Sequence, residues 1–292
     1  MKIVLGLDSL ERAKDISSVV QGLNFEKSEL ELVHILERLD ETNLPMQGAQ
    51  IDLVNQYIKM QEEEAKAFLA EGQTALMEKG LAVKTKLLSG FTANRIIAHA
   101  QESKADLLVV GSSGKGRIKE VLIGSVGRKA LSSAKCSVLI AKKPFDTKRP
   151  MNVVFATDHS DYANRCVDKF LSWNPKGIGR TVVATIYPEQ LLMTMQSIMP
   201  NLKTDMSNLV RGELDNKNKA VTQKFTQLGI ESKSRVESGL VGDTLEKIMK
   251  EENADLLIMG AQGHGFVELM TIGSISLDQG LRRPYSVLVV RA

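Results

Sequence analysis

An internal repeat is the feature that most constrains how this chain can fold. Four residues of the pattern G-x2-G-x9-G-S recur 149 positions further along: Gly111, Gly114, Gly124 and Ser125 in the first copy, and Gly260, Gly263, Gly273 and Ser274 in the second. Each copy follows a short apolar run, ADLLVV at 105–110 and ADLLIM at 254–259. Two copies with the same spacing and the same local context indicate a duplicated unit. Each unit is therefore expected to build the same loop at the same place.

The similarity extends to both ends of the two halves. An apolar run ends in Asp8 near the start of the chain, and a similar run ends in Asp158, 150 positions later. The first half closes with SVLIAKK at 137–143 and the second with SVLVVRA at 286–292. The polar stretch PFDTKRP at 144–150 lies between them, bracketed by two prolines, as is typical of a linker. We therefore predict two domains, residues 1–146 and 147–292.

Composition excludes several classes of protein. A chain of 292 residues is long enough for two hydrophobic cores, and its net charge of +3 gives no support for nucleic-acid binding. No apolar stretch approaches the roughly 20 residues of a membrane helix, and the N-terminus lacks the pattern of a secretory signal. Cys136 and Cys166 show neither CxxC nor Cys/His spacing, so no disulfide or zinc framework is expected. We predict a cytoplasmic protein with no nucleic-acid or membrane partner.

Short apolar runs alternate with helical patterns in each half. The runs lie at 3–7, 30–35, 83–88, 107–110 and 138–141, and again at 153–156, 182–186, 232–236, 256–259 and 287–290. An amphipathic helix is predicted within 50–79, and another over Thr92–Glu102 with Thr92 as its N-cap. Buried strands that alternate with helices indicate the α/β class, here two tandem doubly wound parallel-sheet domains.

The glycine pattern predicts an anion-binding loop at the carboxyl end of a strand, where such folds bind ligands. Gly111 and Gly114 would let backbone N–H groups approach a phosphate closely, and Ser125 lies where a helix should begin. The segment is neither a Walker A loop, because GKS or GKT is absent, nor the G-x-G-x-x-G dinucleotide fingerprint. The alternative is that these residues only allow a strand-to-helix turn. Duplication of the full spacing, with an aspartate at a neighbouring strand end, favours a ligand site.

At these residues the chain resembles a tandem universal stress protein, with two Rossmann-like, adenine nucleotide alpha hydrolase-like domains in one polypeptide. The element G-x2-G-x9-G-[ST] is the signature of that family's ATP-binding branch. The resemblance implies that the glycines and the final Ser bind phosphates, and that the aspartate contacts the ribose and metal region. A residue that ends the second strand would contact adenine through its backbone. The resemblance also implies that the last strands of the two domains pair as an internal pseudo-dimer, with a further homodimer left open.

Carried over residue by residue, the resemblance predicts two nucleotide sites. The first comprises Asp8, Ile35, Gly111, Gly114, Gly124 and Ser125, and the second comprises Asp158, Ile186, Gly260, Gly263, Gly273 and Ser274. Lys115 is a further candidate phosphate ligand of the first site, although a solvated basic face is the alternative. The second loop carries His264 and Phe266 where the first has Lys115 and Arg117. Neutral side chains offset the negative charge of a triphosphate less well than cationic ones do. We therefore predict that the first site binds nucleotide more strongly than the second.

The predicted function is a cytoplasmic stress-response module that binds ATP or a related adenine nucleotide, with or without magnesium, and regulates a protein partner. No nucleophile elbow or HExxH motif is present, and only the aspartates offer a base for hydrolysis, so at most slow ATP turnover is expected. One alternative is a nucleotide-free interaction scaffold of the same fold. Another is an adenylyltransferase-like enzyme, which the absence of an SGGxDS-type loop after the first strand disfavours.

Overall fold

Strands and helices alternate along both halves of the chain. The computed structural model describes residues 1–37, 49–112, 124–189, 206–263 and 272–292. The first half contains β1 (Lys2–Gly6), α1 (Leu10–Leu23), β2 (Glu29–Leu36), α2 (Ala49–Met77), β3 (Val83–Ser89), α3 (Thr92–Glu102), β4 (Leu107–Gly111), α4 (Ser125–Ser133) and β5 (Ser137–Ala141). The second half contains β6 (Met151–Ala156), α5 (Asp161–Ser172), β7 (Ile178–Tyr187), α6 (Met206–Gln227), β8 (Glu231–Ser238), α7 (Val241–Glu251), β9 (Leu256–Gly260), α8 (Ser274–Arg282) and β10 (Ser286–Val290).

The described strands form one ten-stranded sheet in the order β3-β2-β1-β4-β5-β10-β9-β6-β7-β8. Within each half all neighbouring strands are parallel, whereas β5 and β10 pair antiparallel through Leu139 and Leu288. This pairing confirms the predicted contact between the two final strands. In each half the strand order reverses between the first and fourth strands, which are β1 and β4, then β6 and β9. Such a reversal opens a crevice at the carboxyl ends of the two strands.

Both faces of the sheet are covered by helices, so the central strands are apolar on both sides, whereas the edge strands β3 and β8 carry exposed polar side chains. One face packs against α1, α2, α5 and α6, around buried side chains such as Leu5, Phe155 and Phe225. The other face packs against α3, α4, α7 and α8, around Leu108 and Leu257. Each fully buried side chain of this size contributes about 1.5–3 kcal/mol of transfer free energy. The continuous apolar runs in the sequence are therefore the strands of a doubly wound α/β fold, as predicted.

Helix starts follow local capping chemistry, with one departure from the sequence prediction. Ser9 and Ser160 cap α1 and α5, each accepting a hydrogen bond from a backbone N–H three residues on. The prediction that Thr92 is the N-cap of α3 is wrong. Phe91 occupies the cap position with extended backbone, and the Thr92 hydroxyl instead donates to Glu37 Oε1 at 2.7 Å. The N-cap of α3 therefore lies at Phe91, one residue before the polar residue Thr92.

A bulge at the start of the second half changes the offset between equivalent residues of the two halves, from 150 in β6 to 151 in β7. The register between β6 and β7 slips between Met151 and Asn152, which face Ile178 and Arg180. The skipped residue, Gly179, has no room for a side chain, because a Cβ there would lie 2.6 Å from Pro150 Cβ. Beyond the bulge, residues of β7 match those of β2 at an offset of 151 rather than 150.

Candidate functional site

The predicted residues of the second site line a single cavity. It lies beyond the carboxyl ends of β6 and β9, where the strand order of the second half reverses, and has a volume of about 390 Å³. All six residues assigned to the second site by the sequence border it: Asp158, Ile186, Gly260, Gly263, Gly273 and Ser274. The chain positions range from 158 to 274, so it is the fold that brings them together.

Asp158 lies between the start of α5 and the glycine loop. Its Oδ1 accepts a hydrogen bond from the backbone N–H of Ser160 at 3.0 Å. Its Oδ2 faces Gly263 so closely that a Cβ on that glycine would lie only 2.7 Å away. A side chain at position 263 would therefore force the carboxylate to move. The absence of a side chain at Gly263 is what lets the carboxylate lie this close to the loop.

The glycine loop closes on itself and leaves the start of α8 facing the cavity. The Gly273 N–H donates to Ala261 O at 2.7 Å, and the Ser276 hydroxyl donates to Gly260 O at 2.8 Å. Gly273 is the N-cap of α8 and has no side chain that could accept from the first-turn N–H groups. Exposed N–H groups at the start of a helix attract anions. With the exposed Ser274 beside them, they form an arrangement suited to phosphate.

The opposite wall of the cavity is apolar. Ile186 at the end of β7 is half-buried, and Val241, Leu245 and Met259 line the same space. Sequence reasoning did not name the last three. The apolar pattern of α7 predicts that Leu245 is buried, but only the fold shows that it borders a cavity. A cavity with one polar end and one apolar end suits a ligand that carries both a charged group and a flat apolar ring.

In the first half the structure places Asp8 and Gly111 at the corresponding strand ends. The Asp8 side chain is 55% exposed and forms an ion pair with Arg12, whose own side chain is 13% exposed. The Arg12 side chain lies over Gly111, where a Cβ would lie 3.0 Å from Arg12 Cδ. Gly124 is the N-cap of α4 and Ser125 is its exposed first residue, as expected.

Other predicted residues of the first site are less fully defined. Ile35 is buried in β2, in the position equivalent to Ile186. Gly114 and Lys115, with Arg117, lie outside the described residues, as do His264 and Phe266 of the second loop. His34 is a strand histidine whose Nδ1 lies 2.9 Å from Leu7 O, a contact that fits a structural role more than a catalytic one.

Arg12 is a site residue that the sequence reasoning missed. Asp8 lies just before the N-cap of α1 and Arg12 lies in its first turn, so the start of the helix brings the two side chains together. The equivalent residue of the second half is Tyr162, which lies 3.4 Å from the Cβ position of Gly260. The phenol of Tyr162 is neutral at pH 7 even at its ordinary pKa of 10.0, and burial raises that pKa to about 12. The two halves therefore place a cation and a neutral ring against the first glycine of the loop.

The described residues contain no group of three or more His, Cys, Asp or Glu side chains that could hold a metal ion by themselves. Magnesium bound with a nucleotide does not need such a group, because one or two carboxylates and the phosphates supply its protein and substrate ligands. Asp8 and Asp158 are carboxylates of the required kind at the two loops. Among the helices in the described ranges, none is long and apolar enough to cross a bilayer.

Comparison with known proteins agrees with the duplicated architecture. The profile of the Universal stress protein family matches residues 1–142 and again residues 151–291. A universal stress protein of Methanocaldococcus jannaschii is 31% identical over 147 residues, 49% of this chain and 82% of that protein. Universal stress protein YxiE of Bacillus subtilis is 28% identical over 148 residues, 48% of this chain and 98% of that protein. Each of these matches spans about half of this chain, which carries the family unit twice.

A solved structure extends the comparison to the whole chain. The crystal structure of a universal stress protein from Archaeoglobus fulgidus matches 99% of this chain and 98% of that chain, with a TM-score of 0.68 and 20% identity. At that identity the match supports the fold. Together with the family profile, which covers both halves, it leads to one conclusion: the chain belongs to the universal stress protein family and carries two of its domains in tandem.

Proposed function

We propose that this chain binds ATP or a related adenine nucleotide and acts as a regulatory module of the stress response in the cytoplasm. The observation that carries the proposal is the cavity of about 390 Å³ at the strand reversal of the second half. The cavity is lined by the uncapped N-terminus of α8 and the loop glycines, which can hold phosphate, and by the Asp158 carboxylate, which can hold ribose. Its apolar wall can hold the base. The sequence repeat gives the first half an aspartate and loop glycines at the corresponding positions.

The proposed orientation follows from the two ends of the cavity. The phosphates would lie at the start of α8, against the backbone of Gly273 and the hydroxyl of Ser274, where the helix N-terminus favours negative charge. The base would lie against Ile186 and the apolar side chains beside it. Asp158 lies between these ends, where its carboxylate can accept from ribose hydroxyl groups or share a magnesium ion with the phosphates.

The site is better suited to holding a nucleotide than to cleaving it. Rapid hydrolysis needs a base and an oriented water at the terminal phosphate. In the cavity lining described here, the acidic side chain is Asp158, which already accepts from Ser160 N and faces the glycine loop. We therefore propose regulation through binding. A ligand that binds only the folded state stabilises it, and one that binds two conformations unequally shifts their populations.

Two measurements test nucleotide binding. The purified protein is first denatured, and the released nucleotide is identified by chromatography. The refolded or nucleotide-stripped protein is then titrated with ATP, with and without magnesium, while its thermal midpoint is followed. We expect a nucleotide-dependent rise in the midpoint, because a ligand at about 100 times its Kd stabilises a protein by about 2.7 kcal/mol. GTP at the same concentrations serves as the control for base recognition.

A nucleotide-free interaction scaffold is the second candidate function. The exposed apolar side chains of Leu53, Tyr57 and Met60 on α2 favour it, because they follow one another at helical spacing and are 48–65% exposed. Absence of released nucleotide, together with no shift of the thermal midpoint by ATP, would favour this candidate. Release of pyrophosphate with a defined acceptor would instead favour an adenylyltransferase-like enzyme.

A further inference from the structure

The backbone after the site aspartate differs between the two halves. Ser9 follows Asp8 and is extended, with φ −156° and ψ 151°. His159 follows Asp158 at the equivalent position and is left-handed, with φ 60°. A left-handed backbone is uncommon for residues other than glycine, because the Cβ atom approaches the following carbonyl group, and histidine is among the residues that adopt it more often. Contacts of His159 that favour this conformation offset its cost.

The two aspartates differ in the same way as the backbones that follow them. Asp8, followed by extended backbone, is 55% exposed and pairs with Arg12 in the first turn of α1. Asp158, followed by left-handed backbone, is half-buried and faces the glycine loop, with Oδ2 only 2.7 Å from the Cβ position of Gly263. The repeat thus offers an internal comparison in which the conformation of one residue and the contacts of the neighbouring carboxylate differ together.

A buried amide holds the His159 ring. Its Nε2 lies 3.0 Å from Oδ1 of Asn218 on α6 and 3.1 Å from Oγ1 of Thr185 on β7. Asn218 is completely buried. Its Nδ2 donates to Val183 O and Arg235 O, both at 3.2 Å, which fixes the orientation of the amide. Because Oδ1 can only accept, Nε2 of His159 must carry the proton and donate.

The backbone of His159 is held as firmly as its ring. Its N–H donates to Thr157 Oγ1 at 3.1 Å, and its carbonyl accepts from Asn164 Nδ2 at 3.3 Å. These contacts, together with the bond to Asn218, join the residue to α5, α6 and the end of β6. Hydrogen bonds of the ring, the N–H and the carbonyl group of His159 therefore all stabilise its left-handed conformation.

The first half lacks the amide at the corresponding position. Gly80 and Gly229 follow α2 and α6 with the same φ of 79°, and aligning the two helices at these glycines makes Leu69 of α2 the equivalent of Asn218 of α6. Leu69 is a buried apolar residue and cannot hold a polar ring. The half without the amide has Ser9 after its aspartate, and the half with the amide has His159.

We propose that His159 is a positioning residue of the second nucleotide site. The hydrogen bond that its ring donates to Asn218 Oδ1 holds the left-handed backbone that directs the Asp158 carboxylate at the glycine loop. The consequence for ligand affinity rests on the proposed nucleotide function, whereas the consequence for the direction of Asp158 does not. The two consequences can therefore be measured separately.

The test uses variants that separate the ring from the backbone. His159→Ala removes the ring and leaves a residue that disfavours left-handed backbone, while His159→Gly removes the ring but tolerates that conformation. Asn218→Leu introduces the residue of the first half and removes the anchor. The ligand-free readout is hydrogen exchange of the Ser160 amide by NMR, because this amide donates to Asp158 Oδ1. Thermal midpoints and amide spectra of the full chain establish that each variant folds.

We expect His159→Gly to keep the hydrogen-exchange protection of the Ser160 amide. In His159→Ala and in Asn218→Leu the protection factor should fall about tenfold, because the penalty for a left-handed backbone changes the population of that conformation by about this factor. Adding His159→Gly to Asn218→Leu should restore the protection. Wild-type protection in His159→Ala, or an equal loss in His159→Gly, would overturn the proposal.

ATP titration then measures the second consequence, with Asp158→Ala as the reference for loss of the second site. His159→Ala should weaken binding by about tenfold and His159→Gly should stay within about threefold of the wild type. If ATP binds no form of the protein while amide protection follows the expected pattern, the positioning role stands and the nucleotide function fails. If Asp158→Ala weakens ATP binding and His159→Ala does not, the link between His159 and the site is wrong.

Discussion

At the scale of single residues, the close approach of Gly263 to Asp158 gives a direct test of the second site. Gly263→Ala would place a methyl group 2.7 Å from Asp158 Oδ2, so the carboxylate must move away from the loop. We expect nucleotide affinity at this site to fall about tenfold, which corresponds to about 1.4 kcal/mol. Isothermal titration of the nucleotide-stripped protein measures the change. Gly212→Ala is the control, because its Cβ would meet no atom within 4 Å in α6.

The same substitution in both loops tests which site is the stronger. Charge favours the first site, since Lys115 and Arg117 stand where the second loop has His264 and Phe266, and Arg12 adds a cation against Gly111. Gly114→Ala should therefore remove more bound nucleotide than Gly263→Ala when copurified nucleotide is counted per chain. Equal losses from the two variants would contradict the predicted order.

How far the site residues can be predicted depends on the distance over which they interact. Asp158 and the loop glycines are visible in the sequence because each copy of the repeat supports the other. The bond between His159 and Asn218 is not visible, because 59 residues separate the partners and neither belongs to a motif. A buried polar contact of this kind depends on how α6 packs against the sheet, which apolar periodicity alone does not specify.

At the scale of helices and strands, the strand positions follow from sequence more closely than the helix starts. A strand buried on both faces is a continuous apolar run, so its position can be read directly. The start of α3 could not be read from Thr92, because Gly90 turns with φ 134° and donates to Leu36 O at 3.1 Å. That turn makes Phe91 the cap. The bulge at Gly179 likewise depends on contact with Pro150, not on a local pattern.

The cap of α3 can be improved by one substitution. Phe91 is 74% exposed and makes no side-chain hydrogen bond to the first turn. Phe91→Ser should supply an acceptor and raise the free energy of unfolding by about 0.5–2 kcal/mol. This would raise the thermal midpoint by about 2–4 °C per kcal/mol. Phe91→Ala, which removes the ring without supplying an acceptor, should give no such rise, and an equal rise in both variants would exclude capping as the cause.

At the scale of the whole molecule, each half donates side-chain hydrogen bonds to the last helix of the other half. Lys142 follows β5, and its Nζ donates to Gln279 O at 3.3 Å and Arg283 O at 2.5 Å at the end of α8. Arg291 follows β10, and its Nη2 donates to Leu131 O at 2.5 Å in α4. Cations at the carboxyl end of a helix offset its dipole. Because α4 and α8 begin at the two glycine loops, each half contacts the helix that opens the other half's candidate site.

Lys142 gives this interface a measurable dependence on pH. Burial lowers the pKa of its ammonium to about 7, although the charge of Asp278 partly offsets the effect. In the unfolded chain the group keeps its ordinary pKa of 10.5. Between these values the unfolded state binds more protons than the folded state, so this residue makes the free energy of unfolding rise with pH. The neutral amine still has two N–H donors for the two carbonyl groups of α8.

Lys142→Met should remove that rise. We expect the unfolding free energy of the wild type minus that of the variant to increase with pH, by up to about 1.4 kcal/mol per pH unit between about pH 8 and 10. Urea unfolding at a series of pH values measures it. The comparison with the variant is necessary because burial raises the pKa of other groups, such as Cys166 to about 11, which lowers stability as pH rises. The exposed neighbour Lys143→Met should follow the wild-type profile. Parallel profiles for wild type and Lys142→Met would mean that the ammonium keeps an ordinary pKa in the folded protein.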